Sequence, residues 1–313
     1  MLIIIATSFE YQGHAVLDMV QSNFLPTERL RSIAREAAPR FASAEPYPHV
    51  VIDDFFDPDL LWRVLAEFPK PGDVEWQQHH NRREVKLATN SERHFPPLTK
   101  HLLYHLNSGV FLNFLTEVTG IPNLMPDPHF EGGGMHQIVR GGMLAVHADF
   151  NRHPRFELDR RLNAIIYLNP NWRQEYGGSL ELWDAEMTGC KTKIAPLFNR
   201  LMIFATRADT FHGHPDPLTC PEGMTRKSLA LYYYTNGRPA EETTEKHLSI
   251  WRARPGENIA DPPKSTSDIA KDWLPPVVTR LISRHTSVRN GRRILSPNAG
   301  KPLTAKVIQT PPG

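Results

Sequence analysis

After Pro128 the chain stops reading as helix. "MHQIVRGGMLAVHAD", "RLNAIIYLN", "SLELWD", "KTKIAPLFNRLMIFAT" and "RKSLALYYYT" are β-compatible runs cut by Gly-Gly, Asn-Pro or Arg/Asn breaks. No helical stretch intervenes, so the strands have no crossover helices and must pair antiparallel. Their apolar faces then need a second layer, which predicts a sandwich or barrel.

The first 120 residues read as mostly helical. "PTERLRSIAREAA" (26–38) is amphipathic, with Pro26 near its start. "PYPHVVIDDFF" (46–56) is strand-like. Asp57 then stands as an N-cap, with Pro58 at the first position of a following helix. "LTKHLLYHLNSGVFLNFLTEVTG" (98–120) predicts a long helix closed by Gly120, beyond which Pro122 forbids continuation. The expected class is α+β, a double-stranded β-helix (jelly roll) with an N-terminal helical annex packed on it. The expected divisions are an extension and helix over 1–45, a strand and helical annex over 46–120, and a jelly-roll core over 121–240. A linker and basic, mobile tail are expected over 241–313.

Charge and cysteine usage narrow the function classes. The net charge is only +2, yet seven Lys/Arg and no acid follow from Trp273 onward. That tail lacks interleaved aromatics, which disfavours a nucleic-acid role. Two cysteines make no disulfide framework and point to a reducing, cytoplasmic setting. The opening "MLIIIA" is too short for a secretory core or a membrane span, so no membrane partner is expected.

Two H-x-D triplets stand in the β-rich part: His147-Ala148-Asp149 and His214-Pro215-Asp216. On a strand, residues i and i+2 share a face, so His147 and Asp149 can ligate one ion together. In "HGHPDP" the two prolines predict a turn or sheet edge, which makes His214 and Asp216 poor partners. His212 is the better third ligand, with Gly213 behind it allowing close backbone approach. Two histidines and one carboxylate hold one face of Fe(II) and leave positions open. Further on, Arg226 and Ser228 share a strand face while Lys227 points away, and a guanidinium with a neighbouring hydroxyl suits a carboxylate.

Residues 135–236 thus resemble the Fe(II)/2-oxoglutarate-dependent dioxygenases, specifically the prolyl-4-hydroxylase-like branch. "HAD", "RLNAIIYLNPNW" with "GGSLELW" behind it, "FHGHPDP" and "TRKS" look like that branch's motifs in order and spacing. The resemblance implies that His147, Asp149 and His212 ligate Fe(II). It also implies that Arg226, Ser228 and Tyr167 bind the distal carboxylate of 2-oxoglutarate; His214 is the rival distal ligand, and both the resemblance and the prolines favour His212. An unactivated C–H bond would be hydroxylated with release of succinate and CO2, and ascorbate would serve as reductant. The branch's collagen-type members place a lysine at the basic position, where this chain offers adjacent Arg226 and Lys227.

The prime substrate is not legible; a peptide or free amino acid fits the branch. Residues 149–161 predict a loop over the mouth, where Arg140, Arg152 and His153 could meet an anionic substrate. Two readings from other classes stay open. One is a jelly-roll hydrolase or isomerase using another metal. The other is a non-catalytic jelly roll that binds carbohydrate or protein.

Overall fold

The computed structural model describes residues 24–259. The expected extension over 1–23, the basic tail and the end of the expected linker lie outside the described residues. Helix α1 (Thr27–Ala42) starts behind Pro26 and buries Leu30, Ala34, Ala37 and Phe41 as one stripe. It outruns its expected end and takes Pro39 into its last turn. Strand β1 (His49–Ile52) lies within the expected extended run. Asp57 caps helix α2 (Pro58–Glu67): its carboxylate accepts the Asp59 N–H at 2.8 Å.

Two departures follow. Strands β2 (Gln77–His80) and β3 (Glu84–Thr89) form a hairpin in the part expected to be helical. "QQHH" has no apolar alternation, and its strand form rests on pairing with β3 from Gln77↔Ala88 to His80↔Val85. The expected helix over 98–120 is two helices, α3 (Pro97–Leu106) and α4 (Gly109–Thr119). Asn107, Ser108 and Gly109 are three weak helix formers in a row. The Asn107 side chain donates instead to the Asp127 carbonyl at 2.9 Å. Both helices still bury into one core, so the apolar period runs through the break. Gly120 closes α4 in the left-handed region at φ 70°, as expected.

The remaining strands are β4 (Met125–Pro126), β5 (Gly134–Ile138), β6 (Met143–Ala148), β7 (Asp159–Tyr167) and β8 (Leu180–Trp183). They continue as β9 (Cys190–Ile194), β10 (Arg200–Ala205), β11 (His212–His214), β12 (Arg226–Thr235) and β13 (Ile250–Trp251). The order is β1-β10-β7-β12-β5-β3-β6-β11-β8-β9. Strand β3 bonds β5 through Leu87–Thr89 and β6 through Glu84 and Val85, and so joins the two layers of the jelly roll.

Alternation along the strands decides what each face meets. Leu162, Ala164 and Ile166 of β7, with Leu201, Ile203, Leu229, Leu231 and Tyr233, belong to the cluster that includes the helices. Ile165 and Tyr167 face the other way and pack with Leu180, Leu182, Met202 and Phe204 of the interior. Each such side chain contributes about 1.5–3 kcal/mol on burial, so the annex is bonded to the sheet by its core.

Order also continues past residue 240, where the sequence predicts a linker. Ile250 and Trp251 pair with Ala148 and His147. The Asn151 side chain donates to Thr244 Oγ1 and the Glu245 carbonyl and accepts from the His247 N–H. Among the described residues no helix is long and apolar enough to cross a membrane.

Candidate active site

Strand β11 is three residues long and lies between β6 and β8, with His212 opposite both His147 and Leu182. Each histidine is tied through Nδ1 to a carbonyl two residues before it: Ala145 at 2.9 Å for His147, Thr210 at 3.1 Å for His212. A carbonyl only accepts, so Nδ1 carries the hydrogen and Nε2 presents its lone pair. The Nε2 atoms lie 3.5 Å from different oxygens of Asp149, His147 at Oδ1 and His212 at Oδ2. The three ligand atoms fall within 4.8 Å of one another.

Electrostatics suit this set to a cation. Burial pushes the His212 imidazole down to about 4, despite Asp149 beside it, which keeps it a neutral ligand. Burial alone would raise the Asp149 carboxyl; Arg160, His212 and His147 outweigh it and hold it well below the usual carboxylate range. A neutral imidazole at His212 and an ionised carboxylate at Asp149, with the His147 ring beside them, fit a divalent metal with open positions.

Asp149 is itself held. Its Oδ2 accepts from Arg160 Nη2 at 2.9 Å and from Asn163 Nδ2 at 2.7 Å. The guanidinium of Arg160 lies 3.5 Å from the ring centroid of Tyr232 and 4.4 Å from that of Phe150. Sequence reasoning missed Arg160 and Asn163. Their spacing of three puts them on opposite faces of a regular strand. A register shift opposite Tyr233 and Tyr234 brings both to the same carboxylate.

Arg226, Ser228 and Tyr167 meet further inside. Arg226 is 5% exposed, and its Nε donates to the Gly178 carbonyl at 2.8 Å. Burial lowers its pKa, and only Tyr167 opposes that; no carboxylate does. The guanidinium carbon lies 5.0 Å from the Tyr167 ring centroid, while the Tyr167 hydroxyl makes no hydrogen bond. Ser228 pairs directly across from Tyr167 and is buried. Gly178, at φ 72°, is required: a Cβ there would stand 3.0 Å from Arg226 Cδ and 2.6 Å from Leu218. Lys227 turns away, donating to Thr225 Oγ1 at 2.6 Å. A buried guanidinium with no carboxylate leaves an uncompensated charge that a protein rarely retains without an anionic ligand. Beside an orphaned phenol, it fits a carboxylate.

Other expected residues fall elsewhere. His214 is not in a turn or at an edge: it is a buried residue of β11, since Pro215 ends the strand only after it. Asp216 points outward to Arg254 at 2.9 Å, so the second triplet is no ligand pair. Arg140 braces the loop before β12, donating to the Thr219 and Cys220 carbonyls at 2.8 and 2.6 Å. His153 is fully buried, 3.1 Å from Asp127, and its Nδ1 accepts from the Arg155 and Phe156 N–H groups. His153 is closed to a substrate by its burial, whereas Arg140 remains exposed beside that loop. Arg152 does line a groove of ≈ 320 Å³ with Phe150, Pro154, Lys246 and Leu248.

Residues 133–234 match the family model of the 2OG-Fe(II) oxygenase superfamily. Among solved structures, a prolyl hydroxylase from Trichoplax adhaerens, in complex with a hypoxia inducible factor oxygen degradation domain peptide fragment, is 20% identical. That match covers 69% of this chain and 95% of the other, with a TM-score of 0.49. A Pseudomonas putida prolyl-4-hydroxylase is 17% identical over 65% of this chain and 100% of its own, with a TM-score of 0.47. HygX from Streptomyces hygroscopicus, with nickel and 2-oxoglutarate bound, is 13% identical over 69% and 96%, with a TM-score of 0.45. No curated protein matches the sequence.

Proposed function

We infer that this chain, whose residues 133–234 match the family model of the 2OG-Fe(II) oxygenase superfamily, is an Fe(II)- and 2-oxoglutarate-dependent dioxygenase that hydroxylates an unactivated C–H bond. The observation that carries the reading is the convergence of His147, Asp149 and His212 inside a jelly roll. These three residues would hold iron through two Nε2 atoms and a carboxylate oxygen. Iron bound there would supply the redox chemistry that couples decarboxylation of 2-oxoglutarate to reduction of dioxygen.

The chain's own residues do the rest. Arg226, with Ser228 and Tyr167, would grip the distal carboxylate of 2-oxoglutarate and fix the orientation of its reactive end. Arg160 and Asn163 keep Asp149 ionised and aimed. Leu180, Leu182, Met202, Phe204 and Ile165 make the neighbouring interior apolar and exclude water from it. The prime substrate is proposed to present a peptidyl or amino-acid C–H bond, entering past the groove beside Phe150 and Arg152. The cytoplasm is the proposed compartment, supported by the free thiols Cys190 and Cys220.

The test is succinate formation from 2-oxoglutarate when anaerobically iron-loaded protein meets oxygen. Succinate lost in His147→Ala and His212→Ala supports the reading. If 2-oxoglutarate leaves the spectrum of the iron-loaded protein unchanged and no succinate forms, the dioxygenase reading fails and a hydrolase or binding module replaces it.

A further inference from the structure

His214 is a buried histidine that the metal set does not use. Among the described residues five histidines are buried: His49, His147, His153, His212 and His214. The first four have a ring nitrogen hydrogen-bonded, to the carbonyls of Tyr47, Ala145 and Thr210 or, for His153, to two backbone N–H groups. In His214 both Nδ1 and Nε2 are buried and without a partner. Buried polar atoms are rarely left so, and a ring with neither nitrogen satisfied marks a place where something else binds.

The position of the ring narrows what that is. His214 stands two residues after His212 on β11, on the same side as the interior. It does not join the metal set, whose ligand atoms gather within 4.8 Å without it. The charges that reach it are those of Arg226 first, then Lys86 and His147. Lys86 is already paired with Glu84 at 3.0 Å. The other interior histidine beside Arg226, His136, is tied to the Gly132 carbonyl at 3.1 Å. What remains near the Arg226 guanidinium, whose Nε is held by the Gly178 carbonyl, are two buried groups without a partner: the Tyr167 hydroxyl and the His214 ring.

We propose that His214 is a cosubstrate-positioning residue, its ring N–H donating to the same distal carboxylate of 2-oxoglutarate that Arg226 and Tyr167 hold. This rests on the dioxygenase reading and extends it. A carboxylate has about four lone-pair sites on its two oxygens, so a guanidinium, a phenol and an imidazole can serve it together. The imidazole adds direction without adding another buried charge. It also links the two ends of the cosubstrate site, because His212 and His214 share one short strand. A ligand seated against His214 is thereby registered to the metal end through a rigid backbone segment.

The experiment is equilibrium binding to Mn(II)-loaded protein, read by calorimetry without turnover. Two probes are compared: 2-oxoglutarate, and 2-oxopentanoate, which has the same chain length but no distal carboxylate. His214→Leu should weaken 2-oxoglutarate roughly tenfold or more, the scale of a lost hydrogen bond to a charged group, and leave 2-oxopentanoate and Mn(II) binding unchanged. His214→Gln, which keeps a donor, should recover part of the loss. Equal weakening of both probes, or loss of Mn(II) affinity, overturns the proposal in favour of a structural or metal role. Unchanged 2-oxoglutarate binding in His214→Leu, with binding lost in Arg226→Leu, also overturns it and leaves the dioxygenase reading standing. Failure of the wild-type protein to bind 2-oxoglutarate defeats both.

Discussion

Trp251 stacks over His147, with ring centroids 4.8 Å apart and planes tilted by 31°, across the pairing of β13 with β6. A proposed metal ligand is thus packed by its cross-strand neighbour, a residue beyond the last long strand. Such aromatic contacts are worth about 0.5–1.5 kcal/mol. Trp251→Ala should therefore weaken metal binding by roughly threefold to tenfold, whereas Trp251→Phe should keep most of it. Metal competition titrations read this directly; equal affinity in both variants would show that the packing does nothing for the ligand.

Gly213 carries a sharper expectation. A Cβ there would stand 2.8 Å from the carbonyl oxygens of Ala145 and Leu144, where β6 and β11 shift register. Backbone cannot yield as a side-chain end does, so Gly213→Ala should force β11 away from β6. About 1–3 kcal/mol of stability should be lost, and metal affinity with it. Denaturant unfolding and metal titration on the same sample test the coupling, and a stability loss with intact metal affinity would break it.

Arg226 is expected to show function against stability. Removing it should reduce 2-oxoglutarate binding by about a hundredfold, the scale of truncating a buried charge pair. The same change removes an unpaired buried charge, so Arg226→Leu should melt no lower than wild type in the absence of cosubstrate. Lys227→Leu should do neither, because that side chain faces away. A marked fall in melting temperature for Arg226→Leu would mean that the guanidinium is structural.

Acid sensitivity should arise in the β2–β3 hairpin. Burial raises the Glu84 carboxyl, but His79 at 2.9 Å and Lys86 at 3.0 Å outweigh it and hold it at about 2. A carboxyl depressed in the folded state stabilises fully above its unfolded value and loses that contribution as pH falls through the folded one. The window is from about 4.5 down to 2, and the contribution is about 3 kcal/mol at most. Glu84→Gln should lower stability at neutral pH and flatten the acid limb of a stability–pH curve. Parallel curves for variant and wild type would exclude Glu84 as the source.

Parts of this were legible because they depend on local rules. Strand parity separates Arg226 from Lys227, and it puts His147 and Asp149 at one strand end. The cap at Asp57 and the stop at Gly120 are single-residue effects. The parts that were not legible depend on partners far along the chain. Arg160 reaches Asp149 only through a register shift that no local pattern announces. "QQHH" is a strand because β3 lies beside it, and residues 244–251 are ordered because Asn151 binds them. The two prolines of "HGHPDP" predict a turn or edge for His214, yet the strand runs through His214 and stops only at Pro215.

The pairing of β11 between β6 and β8 has a consequence for how the protein matures. His147 and His212 are distant in sequence and meet only where this short segment pairs with β6 on one side and β8 on the other. Such long-range pairing is slow to form, since the loop entropy must be overcome before any contact rewards it. The emerging polypeptide therefore has no complete ligand set until the barrel closes. On the proposed reading, iron capture would be a late event, and tight metal retention would report a chain whose assembly has finished.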